Sequence, residues 1–163
     1  MEIKEISELS INERQCIAVI VSFQRFCNKY DIHHPSIDSF IEHVWKIAQL
    51  KNNFDEWSNN FTELDITGQG DPYSEDLLNA IPKDLLNEFD RITQYVYETS
   101  ATCWYSCESD KSSKMLIGIF EILNAHGIAI PDVDFFKSNL KKGKDGWIPD
   151  ISDEMLEKWK SSV

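Results

Sequence analysis

Cys103 and Cys107 stand four residues apart in Cys103-Trp104-Tyr105-Ser106-Cys107, a spacing that places two thiols on one helical face, where thiolates could hold a metal. A closed tetrahedral site needs two more ligands. The remaining cysteines, Cys16 and Cys27, are eleven residues apart, which is about 16 Å along a helix axis, so the two pairs do not readily close one site. All four cysteines fall on apolar stripes and read as reduced thiols packed in a core. His33, His34, His43 and His126 supply no H-E-x-x-H pattern, Cys-His cluster or i, i+4 pair. His43 falls off the stripe of Phe40 and Val44, which predicts a solvated or partner-facing imidazole, whereas His126 is placed to interact with the free carbonyls of a helix end. Gly68-Gln69-Gly70 lacks the third glycine, the preceding strand and the lysine of a nucleotide loop, and no serine sits in a nucleophile elbow. Neither a metal nor a cofactor is expected.

Charge is distributed more informatively. Between Asn52 and Asp110 there are thirteen acidic residues against two basic ones, Lys83 and Arg91, while the rest of the chain holds fifteen acids and fourteen bases. Nearly all of the net charge of −12 therefore lies in one middle third. Such a field attracts a basic partner and repels nucleic acid and anionic membrane. Aromatic residues are interleaved with the acids: Trp57 beside Asp55 and Glu56, Tyr73 beside Asp71 and Glu75, Tyr95 and Tyr97 beside Glu98, Trp104 and Tyr105 before Glu108. Core packing explains many such aromatics, but Tyr and Trp ringed by carboxylates also suit an interface with a Lys- and Arg-rich protein. The candidate partner-binding residues are Glu56, Trp57, Glu63, Asp65, Asp71, Tyr73, Glu75 and Asp76.

The elements that must carry these residues read as helices. Ser10 and Glu13 form a capping box, after which Cys16, Val19, Ile20, Phe23, Phe26, Cys27 and Tyr30 recur on one face. Asp31 to Pro35 break that helix, and Ser36 is placed to cap a second one with Ile37, Phe40, Ile41, Val44, Ile47 and Ala48 as its stripe. Asn52 and Asn53 mark a stop before a short aromatic helix of Phe54, Trp57 and Phe61. The segment 62–73, with Gly68, Gly70 and Pro72, reads as an exposed acidic loop dividing N- and C-terminal helical halves. Beyond it a short helix over 73–80 is expected, then a helix opened by Pro82 with Leu85, Phe89, Ile92, Val96, Cys103 and Cys107 aligned, ending between 100 and 107. A break at 109–113 precedes a helix of Met115, Ile119, Ile122, Leu123 and His126 closed by Gly127, a short helix follows Pro131, and a last one starts at Ser152 or Asp153. With 42% hydrophobic residues, six Gly and five Pro, the expectation is all-α, a single domain of six to eight helices around an irregular acidic central loop. The N-terminal Met1-Glu2-Ile3-Lys4-Glu5 lacks a secretory pattern and no run reaches membrane-span length, which points to the cytosol.

Phe23-Gln24-Arg25-Phe26-Cys27-Asn28-Lys29-Tyr30-Asp31-Ile32, with Ile41-Glu42-His43-Val44-Trp45 and Gly68-Gln69-Gly70-Asp71-Pro72, resembles small helical immunity proteins of bacterial toxin systems, including contact-dependent inhibition. The resemblance covers about residues 10–80 and implies a protein that binds the toxin domain of a sibling cell, commonly a nuclease, stoichiometrically and without turnover. Nuclease domains are usually basic to hold phosphate, so the charge map agrees with that implication. Two other classes stay open at this level: a small helical enzyme whose carboxylates converge on a divalent metal, and a generic adaptor with an acidic face.

Overall fold

The order of elements follows from local chemistry that is mostly visible in the chain. In the computed structural model, which describes residues 3–49, 54–105 and 109–162, α1 (Ile3–Ser7) leads into the capping box of α2. Ser10 Oγ accepts from the Glu13 amide (3.2 Å) while Glu13 Oε2 accepts from the Ser10 amide (2.6 Å). Helix α2 covers residues 11–29, with Ile17–Phe23 wound as a π-helix between the α-helical segments Ile11–Cys16 and Gln24–Lys29. Then come α3 (Pro35–Lys46, prolonged by a 3-10 turn at Ile47–Gln49) and α4 (Phe54–Asn60, prolonged by Phe61–Glu63). They are followed by α5 (Glu75–Ala80), α6 (Leu86–Tyr105), α7 (Ser109–Ala125), a 3-10 turn at Val133–Phe136 and α8 (Asp153–Lys160). The described residues thus form eight helices and no strand, an all-α arrangement as expected.

The apolar stripes become one core. Phe23 meets Phe40 (5.6 Å between ring centres) and Phe89 (5.3 Å), so helices from both sides of the 62–73 loop share the same interior. Helices α6 and α7 run antiparallel along each other, as the contacts of Thr99 with Ser112 and Tyr95 with Gly118 require. A β-carbon on Gly118 would lie 2.7 Å from the Tyr95 ring, so the half-buried ring can rest over this position only while it carries no side chain. Cys16, Cys27 and Cys103 are buried, and none of the three is in a disulfide. Burial pushes the Cys27 thiol up to about 12, with the nearby Asp38 charge adding to it, and burial raises Cys16 as well; neither behaves as a reactive thiolate near neutrality.

Four consecutive polar residues at the start of α2 are buried as well: Asn12, Glu13, Arg14 and Gln15 are at most 5% exposed. Asn12 donates to the carbonyl of Ala48 (2.8 Å) and accepts from the Ile148 amide (2.8 Å). Glu13 Oε1 accepts from the Ser138 amide (2.7 Å). Arg14 donates to the carbonyls of Ile6 (3.2 Å), Ser7 (3.2 Å) and Ser109 (2.8 Å). Gln15 donates to the Val96 carbonyl (3.1 Å) and accepts from the Ser100 hydroxyl. Apart from the Val96 carbonyl, which lies inside α6, the backbone groups so bonded belong to helix ends and loops, and the pairing of these side chains is why polar residues are tolerated at the centre.

Several expected boundaries move. His34, not Ser36, caps α3: its Nδ1 accepts from the Ser36 amide (3.1 Å) with Pro35 in the first turn. Pro82 does not open α6; it heads a turn closed by Leu85 N to Pro82 O (2.9 Å), and the helix starts at Leu86. The expected break at 109–113 is helical, because Ser112 and Ser113 turn their hydroxyls onto the carbonyls of Thr99 and Ser109 inside the core. The stretch after Pro131 shortens to Val133–Phe136. The stop at Asn52–Asn53 and the position of Cys107 lie outside the described residues.

Candidate functional site

The acidic tract does not project as one free loop. Ile66, Thr67 and Gly68 are buried against α6, and a β-carbon on Gly68 would lie only 2.5 Å from Tyr97 Cβ. Gly68 and Gly70 both adopt left-handed backbone (φ +67° and +84°), the conformation that makes glycine the fitting residue there. Asp65 is half-buried and holds two helix starts together: it accepts from Ser74 N (2.7 Å), Ser74 Oγ (2.6 Å) and Ser36 Oγ (3.0 Å). Partial burial pushes its carboxyl up, but the bonds from Ser74 and Ser36 and the nearby His34 outweigh that and leave it below the ordinary aspartate range. Ser74, thus oriented, caps α5 by accepting from Leu77 N (3.3 Å). Asp65 is therefore a brace of the loop.

The other candidates divide by exposure. Glu56, Glu63, Asp71, Glu75 and Asp76 are exposed, and Tyr73 is half-buried. Asp71 accepts from Thr67 Oγ1 (2.6 Å), closing the glycine turn, and Asp76 faces His34 Nε2 at 3.0 Å. Since His34 Nδ1 accepts a backbone amide, its Nε2 is the nitrogen that carries the proton toward Asp76.

Trp57 leaves the candidate surface, being 3% exposed. Its indole Nε1 donates to the His43 carbonyl (2.8 Å), while His43 Nε2 donates to the Trp57 carbonyl (2.9 Å) and the two rings stack at 5.4 Å. The expectation of a solvated or partner-facing His43 is corrected by the same contact, which inserts the ring between α3 and α4, with Phe61 edge-on at 4.4 Å. Burial lowers His43 from its ordinary value of 6.5, the bond to the Trp57 carbonyl pulls upward, and Lys46 adds to the lowering. An unfolded chain takes up this proton near pH 6.5 and the native one resists it, so stability is full above about pH 6.5 and declines as pH falls below it. The expected melting temperature drops between pH 6.5 and 5, with a shallower slope for His43→Gln than for wild type; equal slopes would remove His43 from this account.

What the structure assembles is an open groove of about 520 Å³ where the end of the acidic loop meets α5 and the start of α6. Asp71 and Tyr73 line it together with Leu78, Lys83, Leu86 and Asp90. Leu78 is 40% exposed, one of two large apolar side chains so placed among the described residues, whereas its neighbour Leu77 is fully buried. Tyr73 Oη donates to Asp90 Oδ1 (2.9 Å), and its ring meets Phe89 edge-on at 5.8 Å. Burial and the adjoining Asp90 keep the phenol above its ordinary range despite the opposing Thr93 hydroxyl. Only the Asp71 and Tyr73 part of this groove was singled out from the sequence. Leu78 carried a faint signal, a second leucine beside Leu77 on a helix too short to bury both; Asp90 carried none beyond its charge.

Among the described residues no group of three or more His, Cys, Asp or Glu side chains gathers as a metal site, and no helix is long and apolar enough to cross a membrane. The expected contact of the His126 imidazole with free helix-end carbonyls is corrected: its Nδ1 pairs with Tyr30 Oη (2.6 Å), and it is the His126 backbone carbonyl, just past α7, that accepts from Lys29. Comparison with protein-family models, with curated proteins and with solved structures finds no match to this chain.

Proposed function

We propose that this protein neutralises a basic toxin domain, a nuclease, by one-to-one binding in the cytosol, through the acidic surface around Asp71, Tyr73, Glu75 and Asp76 and without cofactor or turnover. The observation that carries the reading is the exposed carboxylates of Asp71, Glu75 and Asp76 beside a groove with apolar walls. Charge at the rim steers a basic protein and sets its on-rate, while an apolar, partly desolvated centre slows its escape. The resemblance of residues 10–80 to immunity proteins supplies the class of partner.

The test is co-expression with a toxin module encoded next to this gene. Wild type should restore growth, and Glu75→Lys with Asp76→Lys should slow association by about tenfold at low salt while leaving the melt unchanged, since exposed charges contribute little stability. Reversing Lys141 and Lys144, which are exposed elsewhere, should leave protection intact. Full protection by the Glu75/Asp76 double variant, at wild-type association rate, would sink the proposal.

A further inference from the structure

One wall of the groove is a carboxylate already oriented. Asp90, half-buried on α6, accepts from Tyr73 Oη through Oδ1 and from Gln94 Nε2 through Oδ2 (2.9 Å each). Both donors are neutral, and no Lys or Arg among the described residues forms an ion pair with it. Each carboxylate oxygen retains a second acceptor direction. Around it stand the ring of Tyr73, Pro72 and the aliphatic Leu78 and Leu86, with Asp71 also in the lining. A partly desolvated anion without a cation, beside an aromatic ring and two leucines, is a poor place for water and a good one for a cation with an apolar stem.

Resting on the proposed capture of a basic protein, we infer that this groove receives one arginine side chain of that partner, its guanidinium against Asp90 and Asp71 and its stem along Leu78, Leu86 and Tyr73. Arginine fits better than lysine for physical reasons. Its planar, weakly hydrated fork donates two parallel bonds to a carboxylate and packs against aromatic and aliphatic surface, whereas a lysine ammonium must surrender a tight hydration shell. Lys83 in the lining opposes any incoming cation, so Asp71 is needed beside Asp90 to keep the groove net negative.

The test is an NMR titration of the whole chain with Nα-acetyl-arginine methylamide and with its lysine counterpart at matched ionic strength. The arginine probe should shift the amides of Tyr73, Asn87 and Asp90 saturably and bind at least about fivefold tighter than the lysine probe. Asp90→Asn keeps an acceptor for Tyr73 and should cost at least about fivefold in arginine affinity, whereas Asp84→Asn, which removes the same charge outside the lining, should cost less than about twofold. Lys83→Gln should strengthen binding. Absence of saturable groove shifts, equal binding of the two probes, or equal losses for Asp84→Asn and Asp90→Asn would overturn the inference. Growth protection separates it from the functional reading. If Asp90→Asn protects fully while the Glu75/Asp76 variant fails, the arginine groove is wrong and the acidic interface stands. If wild type binds the arginine probe selectively yet does not protect against the adjacent toxin, the groove stands and the functional reading falls.

Discussion

Replacing Arg14 with Met is expected to lower the stability of the fold by about 3 kcal/mol, a large effect for a polar side chain. Arg14 is 1% exposed, and its three bonds run to backbone carbonyls of Ile6, Ser7 and Ser109. A buried ion pair is often exchanged for apolar residues without loss, because both charged partners leave together. Here the acceptors belong to the main chain and stay when the guanidinium goes. Methionine fills much of the volume but removes three charge-assisted bonds: the Ile6 and Ser109 carbonyls keep one neutral donor each, Leu9 N and Ser113 Oγ (3.1 Å both), and the C-terminal end of α1 loses the cation that its dipole favours. Arg14→Lys should recover only part of the loss, since one ammonium on a flexible stem does not reproduce a fork that reaches three carbonyls. Urea denaturation checks both: the midpoint should fall with the slope unchanged. A Met variant within about 1 kcal/mol of wild type would mean that water reaches those carbonyls and that the site is less closed than described.

Gly68→Ala should be nearly as severe and act through a different route. The left-handed backbone there costs a side-chain-bearing residue about 1 kcal/mol, and the added methyl would sit 2.5 Å from Tyr97 Cβ and 3.1 Å from the Thr93 carbonyl. Both of those atoms belong to, or are fixed directly on, the α6 backbone, so no rotamer change relieves the clash and overpacking adds about 2 kcal/mol. The loop must lift off α6, carrying Asp71 and Tyr73 with it. Limited proteolysis should then open the chain within 62–73, and the groove amides should lose their response to the arginine probe even though Asp90 is intact. A Gly68→Ala protein with wild-type melt and wild-type protease resistance would show that the loop does not depend on this close approach.

Features whose causes lie within a few residues were legible in the sequence. Ser10 with Glu13, Ser152 before α8 and Gly127 after α7 do what their local chemistry requires, and the stripe from Ile37 to Ala48 is buried in full because its period matches the helix. Side chains with distant partners were misread or passed over. His43 falls off its helix's apolar stripe and looks solvated until Trp57, fourteen residues on, covers it, and Arg14 drew no reading at all because its acceptor Ser109 lies ninety-five residues on. Ser112 and Ser113 resemble a break because serine favours turns, yet their hydroxyls find carbonyls inside the core. The groove escaped for the same reason: Tyr73, Leu78 and Asp90 belong to three different segments, and only tertiary packing makes them one site.

The buried polar run of α2 also constrains the order in which this domain forms. Asn12, Glu13, Arg14 and Gln15 bond to groups that lie 36 to 136 residues farther along the chain. Contacts of such long sequence range cost loop-closure entropy before they return any stability, so they slow folding and belong to its late stages. On a ribosome, the first turns of α2 emerge early and wait with their polar side chains in water until Ile148 is released. Once closed, the same turns are tied to α6, to the turn that prolongs α3 and to Ser138 and Ile148, and their amides should exchange with solvent only through global unfolding, at the slow end of the hydrogen-exchange spectrum. The helix made among the first is completed among the last.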